Sequence, residues 1–158
     1  MTAFLGSGLL LFSAWYISLL LIRRHHNNLL ATEAFVDMIV YIRDNIDHFS
    51  KPLPDIFHIY RNTYLETTGF LPNVRRSDLR QAWQEQSFSF PDDIDNLLDN
   101  FIQTIGSGYR PEELRLCDYT LERLRKQIEH LHTDSVNRIK LYKTVPIMLA
   151  LSLILLLL

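Results

Sequence analysis

Six histidines, one cysteine and eighteen acidic residues are the side chains of this 158-residue chain that could ligate a metal or carry out acid-base chemistry. His130 and His132 lie on a predicted helix two residues apart, so their side chains point roughly 200° apart around its axis. Two histidines that share a zinc ion on one helix are spaced four residues apart. The other four are isolated or lie beside an apolar segment: His25, His26, His48 and His58. The histidines therefore predict no metal site.

Nucleophilic catalysis and nucleotide binding also lack their sequence signatures. Cys117 occupies an apolar position of a predicted helix, which favours a buried structural thiol over a nucleophile. A single cysteine excludes an intrachain disulfide framework and indicates a reducing compartment. The five glycines form neither a phosphate-binding loop nor a dinucleotide fingerprint, and no nucleophile elbow is present. We predict a protein without catalytic residues or cofactor, and not an enzyme.

Asp92, Asp93 and Asp95 form a dense acidic cluster. The cluster has two interpretations, a metal site or the start of a helix, where negative charge is stabilised by the helix dipole. The helix start is favoured because no glycine-bearing calcium loop accompanies the cluster.

Residues 106–113 form an irregular stretch between two predicted helices. It is either a plain helix-to-helix turn or a docking surface for a cytoplasmic partner at the end of the bundle. The residues predicted to bind that partner are Gly106, Gly108, Tyr109, Arg110, Glu112 and Glu113.

The charged residues are confined to the middle of the chain. Every Lys, Arg, Asp, Glu and His lies between positions 23 and 143, and residues 1–22 and 144–158 contain none. At ~1.5 Å per residue, a helix of about 20 uncharged residues spans the ~30 Å core of a bilayer. We predict an N-terminal transmembrane helix at residues 1–22, a cytoplasmic helical bundle at 23–143 and a C-terminal transmembrane helix at 144–158.

Basic residues on the inner flanks predict the topology. Arg23 and Arg24 follow the first apolar segment, and Lys140 and Lys143 precede the second. By the positive-inside rule, both termini lie outside the cell membrane and the middle domain lies in the cytoplasm. The C-terminal segment is short for a full span, so a half-inserted segment is the alternative.

The net charge and the apolar ends indicate which classes of partner the chain binds. A net charge of −2 and the absence of long basic runs exclude a nucleic-acid-binding protein. The apolar ends imply the lipid bilayer as a partner, and the residues leave open whether the chain forms a homo-oligomer.

Apolar residues recur at helical spacing almost throughout the middle, which predicts an all-α, antiparallel helical bundle. A first helix at residues 29–49 carries the stripe Phe35, Ile39, Ile42, Ile46 and Phe49. A second helix begins near Pro54, after a proline-rich stop, and runs to Gly69 and Pro72 with the stripe Ile56, Phe57, Tyr60 and Tyr64.

Three further helices complete the prediction. Ser77 is expected to cap a short helix, and a helix from Asp92 ends at Gly106. The longest helix is expected at residues 111–143. Its apolar seam consists of Leu114, Cys117, Leu121, Leu124, Ile128 and Leu131.

Four segments carry a family resemblance. Residues 105–119 read Ile-Gly-Ser-Gly-Tyr-Arg-Pro-Glu-Glu-Leu-Arg-Leu-Cys-Asp-Tyr, and residues 51–57 read Lys-Pro-Leu-Pro-Asp-Ile-Phe. Residues 82–85 read Ala-Trp-Gln-Glu, and residues 140–143 read Lys-Leu-Tyr-Lys. In order, and in their place between apolar ends, these motifs resemble the stage III sporulation protein AB family over nearly the whole chain.

The resemblance implies a fold like the cytoplasmic domain of platform protein F of type II secretion and type IV pilus systems. It implies a non-enzymatic platform subunit of the sporulation channel between mother cell and forespore, in the engulfing mother-cell membrane. The implied partners are a secretion-type ATPase similar to stage III sporulation protein AA and other stage III sporulation channel proteins. Pro52 and Pro54 join the implied partner-binding residues.

The chain departs from the commoner family pattern at three positions. Glu113 replaces a glutamine, Asn45 replaces an acid, and Pro146 lies in a final segment that lacks the usual glycines. Two other functions stay open, a general type II secretion or type IV pilus platform protein and a membrane-tethered helical sensor. Neighbouring genes for an ATPase and several small membrane proteins would favour a platform over a sensor.

Overall fold

The computed structural model describes residues 2–49, 51–86, 88–131 and 148. These residues form helices, turns and short connections, and no strand occurs among them, which confirms the all-α prediction. The chain divides into two compact units. One comprises Met1–Asn27 and His130–Leu158, and the other comprises Asn28–Glu129.

The first unit contains both segments predicted to span a membrane. Its described residues are helical, at 2–27, 130–131 and 148. Within the described part of the chain, no helix is both long and apolar enough to cross a membrane. The two predicted transmembrane helices are therefore not confirmed, and nearly all of the second lies outside the described residues.

The second unit is built from helices alone in its described residues. Helix α1 spans Thr2–Phe49 and contributes its residues from Asn28 onward. The next helices are α2 (Leu53–Ile59), α3 (Thr63–Thr67), α4 (Phe70–Arg76), α5 (Leu79–Glu85) and α6 (Asp92–Thr104). A seventh helix, α7, covers residues 110–131. Helix α1 has 48 residues, more than the 33 predicted for the helix at 111–143, of which residues 132–143 lie outside the described residues.

Within this unit α1 and α7 run antiparallel. Arg43 Nε lies 2.6 Å from Asp118 Oδ1, and Asp47, further along α1, pairs with Arg110 at the start of α7. The facing sides are apolar, and the buried side chains of the pair include Phe35, Met38, Ile39, Ile42, Ile46, Cys117, Leu121 and Leu124. The predicted stripes of the two helices are thus largely confirmed.

Phe49 is the exception to the predicted stripe, because 66% of its surface is exposed. It is the last residue of α1, and α7 begins opposite Asp47. The neighbouring helix therefore does not extend far enough to cover the Phe49 ring. Hydrophobic spacing alone cannot show where a facing helix ends.

The predicted second helix is divided into α2 and α3. Tyr60 has an extended backbone, with ψ 136°, and ends α2. Asn62 then begins α3 because its side-chain oxygen accepts hydrogen bonds from the backbone N–H groups of Tyr64 and Leu65, at 3.0 and 3.2 Å. Tyr64 therefore belongs to a different helix from Ile56 and Phe57.

Two boundaries in the next segment also differ from prediction. Pro72 lies in the first turn of α4 instead of ending a helix, which is compatible with its missing N–H. Asp78, not Ser77, caps α5, since its Oδ1 accepts a hydrogen bond from the Gln81 N–H at 2.7 Å. Ser77 ends α4 instead. By contrast, α6 begins at Asp92 as predicted, with three aspartates in its first turn.

An aromatic cluster joins α1 to the middle of the unit. The fully buried Phe35 ring is surrounded by four rings in edge-to-face contact, at centroid distances of 5.2 to 5.7 Å: Phe70, Trp83, Phe88 and Phe90. Phe88 and Phe90 lie in the irregular connection between α5 and α6. The cluster therefore packs this connection, together with α4 and α5, against α1.

Candidate docking site

The Pro-Leu-Pro element and the turn after α6 meet at one cleft in the second unit. The cleft has a volume of about 600 Å³. Pro52, Leu53 and Pro54 line it from the start of α2, and Ile105 and Gly106 line it from the turn that follows α6. About 50 residues of sequence separate these two walls. The structure thus brings together two segments that were singled out separately.

Close packing between Gly106 and Leu53 connects the two walls. Gly106 has φ +83°, a conformation that residues with a side chain rarely adopt. A Cβ atom at this position would also lie 2.6 Å from Leu53 Cδ1. The left-handed backbone thus favours glycine at this turn, and a side chain here would also displace the end of the Leu53 side chain.

The N-terminus of α7 is capped by its own first turn. The Tyr109 carbonyl oxygen accepts hydrogen bonds from the Glu112 and Glu113 N–H groups, at 2.8 and 3.0 Å. The Glu112 carboxylate in turn accepts the Tyr109 N–H at 3.4 Å, the return half of a capping box. Gly108 lies under this contact, since a Cβ there would be 3.1 Å from Glu112 Oε2. Glu112 and Gly108 therefore have a structural role at the helix start.

Arg110 connects the start of α7 to the end of α1. Its Nη2 group donates hydrogen bonds to the Asp47 carbonyl oxygen and to Asp47 Oδ1. Carbonyl oxygens in the last turn of a helix lack partners within the helix, so the cation stabilises the C-terminus of α1. Arg110 is thus used inside the protein, although half of its side chain is exposed.

Tyr109 is the most exposed large hydrophobic side chain among the described residues, at 81%. Its backbone begins α7, while its ring is available to a partner. The eight predicted partner-binding residues thus fall into two groups. Pro52, Pro54, Gly106 and Glu113 line the cleft. The other four lie at the adjoining N-terminus of α7: Gly108, Tyr109, Arg110 and Glu112.

The third wall of the cleft was not predicted. It is the junction of α4 and α5, which contributes Val74, Arg75, Asp78, Leu79 and Arg80. The one sequence signal was the change of helix at Ser77 and Asp78, which marks a surface turn but not what the turn faces. Only the tertiary fold shows that this junction lies beside the Pro-Leu-Pro element.

Arg75 holds that third wall in place. Its guanidinium donates to the carbonyl oxygens of Phe57 and Tyr60 at 3.0 and 2.8 Å. It also forms a forked pair with Glu66, at 2.7 and 3.2 Å. The Arg75 hydrogen bond lowers the pKa of Glu66 below its ordinary value. One arginine therefore joins α2, α3 and α4.

Some charged residues of the cleft already interact with other groups of the protein, and others do not form an ion pair. Arg75 is neutralised by Glu66, and Asp78 caps α5. Lys51 Nζ lies over the Phe49 ring at 5.0 Å, and Arg80 is exposed. Among the described residues, neither Lys51 nor Arg80 forms an ion pair with a carboxylate.

His58, Asp78 and Glu113 line the cleft, whereas the cysteine does not. Cys117 lies in the seam between α1 and α7, and burial, followed by the nearby Asp118 and Glu113 carboxylates, raises the pKa of its thiol to about 12. Among the residues that the structure describes, no three His, Cys, Asp or Glu side chains are placed to hold a metal ion.

Comparison with known proteins agrees with the motifs. Searches against curated proteins and against solved structures gave no match. A family model described as stage III sporulation protein AB matches residues 3–158. This match includes the Pro-Leu-Pro element, the turn at Gly106 and the whole of α7. The chain therefore belongs to the stage III sporulation protein AB family.

Proposed function

We propose that this protein is a non-enzymatic membrane platform subunit of the sporulation channel and that it docks a secretion-type ATPase. Membership of the stage III sporulation protein AB family supports a role together with other stage III sporulation proteins. We further propose that its helical bundle resembles that of secretion platform protein F and acts as a platform. The proposed ATPase partner is similar to stage III sporulation protein AA.

One observation carries the docking proposal. The two family-like motifs, residues 52–54 and the turn at Gly106, line a single cleft, and the exposed Tyr109 follows Gly106 by three residues. Exposed aromatic side chains beside an apolar depression are typical anchors of protein interfaces. We define the docking surface as this cleft together with Tyr109.

The experiment is a binding measurement between the full-length chain, purified in detergent, and a secretion-type ATPase similar to stage III sporulation protein AA. Tyr109→Ala should reduce retention of the ATPase, because it removes an exposed ring without touching the core. Tyr119→Ala is the matched control, since Tyr119 is also exposed but lies ten residues further along the chain, nearly three turns into α7. Equal retention by both variants would contradict docking at Tyr109.

The membrane part of the proposal rests on the charge-free ends. Residues 1–22 and 144–158 insert as transmembrane helices, with both termini outside and the middle domain in the cytoplasm. In the sporulating cell, the membrane that these helices cross is the mother-cell engulfing membrane. Protease-accessible tags fused before Met1 and after Leu158 test this topology. A tag after Leu158 that stays protected with the cytoplasm would contradict the second span.

A further inference from the structure

We infer that the cleft receives an acidic segment of the partner, one that inserts an apolar side chain between flanking carboxylates. This inference rests on the proposed docking function and names the chemistry of the segment that docks. It is carried by the apolar floor of the cleft and by the two cations on its rim.

The floor of the cleft is apolar. Ile46, Phe57 and Ile105 line it and are themselves buried, and the partly exposed Leu53 lies above them. A volume of about 600 Å³ is larger than a single side chain needs and matches a short peptide segment. An apolar side chain entering here gains about 25 cal/mol for each Å² that it removes from water.

The rim supplies the charge preference. Arg75 already pairs with Glu66, and the Asp78 carboxylate accepts the Gln81 N–H at the N-terminus of α5, where the positive end of the helix offsets part of its charge. Lys51 and Arg80 are the rim cations without an ion pair among the described residues. Their charge is therefore available to a partner, whereas Arg75 has little left to offer.

A partner that covers the cleft removes the charges of Lys51 and Arg80 from water, so its own charge determines how well it binds. A neutral partner would remove Lys51 and Arg80 from water without compensation, which is costly for charged groups. A basic partner would add like-charge repulsion. Carboxylates on the docking segment satisfy both cations. The Glu113 carboxylate also lines the cleft, so the same segment has to present one hydrogen-bond donor to it on the side of α7.

Charge reversal at the rim tests the inference. The full-length chain in detergent is titrated with the same ATPase, and the double variant Lys51→Glu, Arg80→Glu is compared with the unaltered chain. We expect a loss of affinity of about tenfold or more, with a weaker dependence on salt. Arg76→Glu is the matched control because Arg76 is exposed on α4 but does not line the cleft. It should change affinity less than about twofold.

A second variant gives the opposite sign. Glu113→Gln removes the remaining acidic side chain of the rim that is not used as a cap and should preserve or increase affinity for an acidic segment. Thermal unfolding of each variant checks that the fold is retained. Unchanged affinity in the double variant would overturn the inference, and tighter binding would show that the segment is basic and would overturn it as well.

The outcomes also separate this inference from the docking proposal. If Tyr109→Ala weakens ATPase binding while charge reversal does not, docking stands and the acidic segment is wrong. If neither variant has an effect, docking at this surface is wrong. A second copy of this chain is another possible occupant, and sedimentation of the chain without ATPase tests it. If the chain self-associates and the double variant does not, while Arg76→Glu still does, the cleft binds a second copy and the inference is overturned.

Discussion

The Arg110 guanidinium donates hydrogen bonds to both the backbone carbonyl oxygen and the carboxylate of Asp47, 63 residues earlier in the chain. This contact joins the last turn of α1 to the first turn of α7 and lies beside the exposed Tyr109. The position of the docking surface therefore depends on a polar contact between two helix ends as well as on the apolar seam between the helices.

Arg110→Ala should loosen this end of the bundle. We expect a loss of about 1 kcal/mol in the free energy of unfolding, because the contact is half exposed but includes a carbonyl oxygen at a helix end. Amide hydrogen exchange should increase in the last turn of α1 and in the first turn of α7. Unchanged exchange at both ends would show that the apolar seam alone holds them together.

Gly106→Ala should destabilise the second unit more than Gly69→Ala does. Both glycines have φ +83°, so each substitution carries a strain of about 1–2 kcal/mol. A Cβ at position 69 has no atom closer than 4.0 Å, whereas a Cβ at position 106 meets Leu53. Urea denaturation of the two variants therefore separates backbone strain from the Leu53 contact. Equal losses would mean that the Leu53 side chain moves aside freely.

The apolar seams and the cleft differ in how far the sequence could predict them. Phe35, Ile39 and Leu121 follow helical spacing, because burial against one neighbouring helix repeats with the helix period. The boundaries at Asn62 and Asp78 depended on which polar side chain accepts the first hydrogen bonds, and neighbouring candidates compete for that role.

The docking site was only partly predictable for a different reason. The turn at Gly106 was predicted from its place between two helices and the motif at Pro52 from the family resemblance, but their contact across the cleft depends on the path of the intervening helices. The role of Arg75 depends on carbonyl oxygens at the end of α2 and on Glu66 in α3. No spacing in the sequence shows that these groups converge.

Phe35→Ala should cost about 3–5 kcal/mol in the free energy of unfolding, because it leaves a cavity among four aromatic rings. Phe49→Ala is the matched control on the same helix. Its ring is 66% exposed, so the loss should stay within about 0.5 kcal/mol. Chemical denaturation measures both. A large loss for Phe49→Ala would mean that its ring packs against an apolar surface.

Glu66→Gln should destabilise the protein at neutral pH but not at low pH. The pKa of Glu66 is lowered by Arg75 from its ordinary value of 4.5, so the folded state binds the proton less readily than the unfolded chain. The stabilisation from the charged carboxylate is therefore fully present above about pH 5 and is lost as the pH falls through the lowered pKa. Urea denaturation from pH 7 to pH 3 should show the two proteins converging in stability. Glu122→Gln is the control, because the Glu122 pair with Lys126 is largely exposed and should matter little at any pH. If the deficit of Glu66→Gln persisted unchanged at pH 3, the charge on Glu66 would not be the source of its contribution.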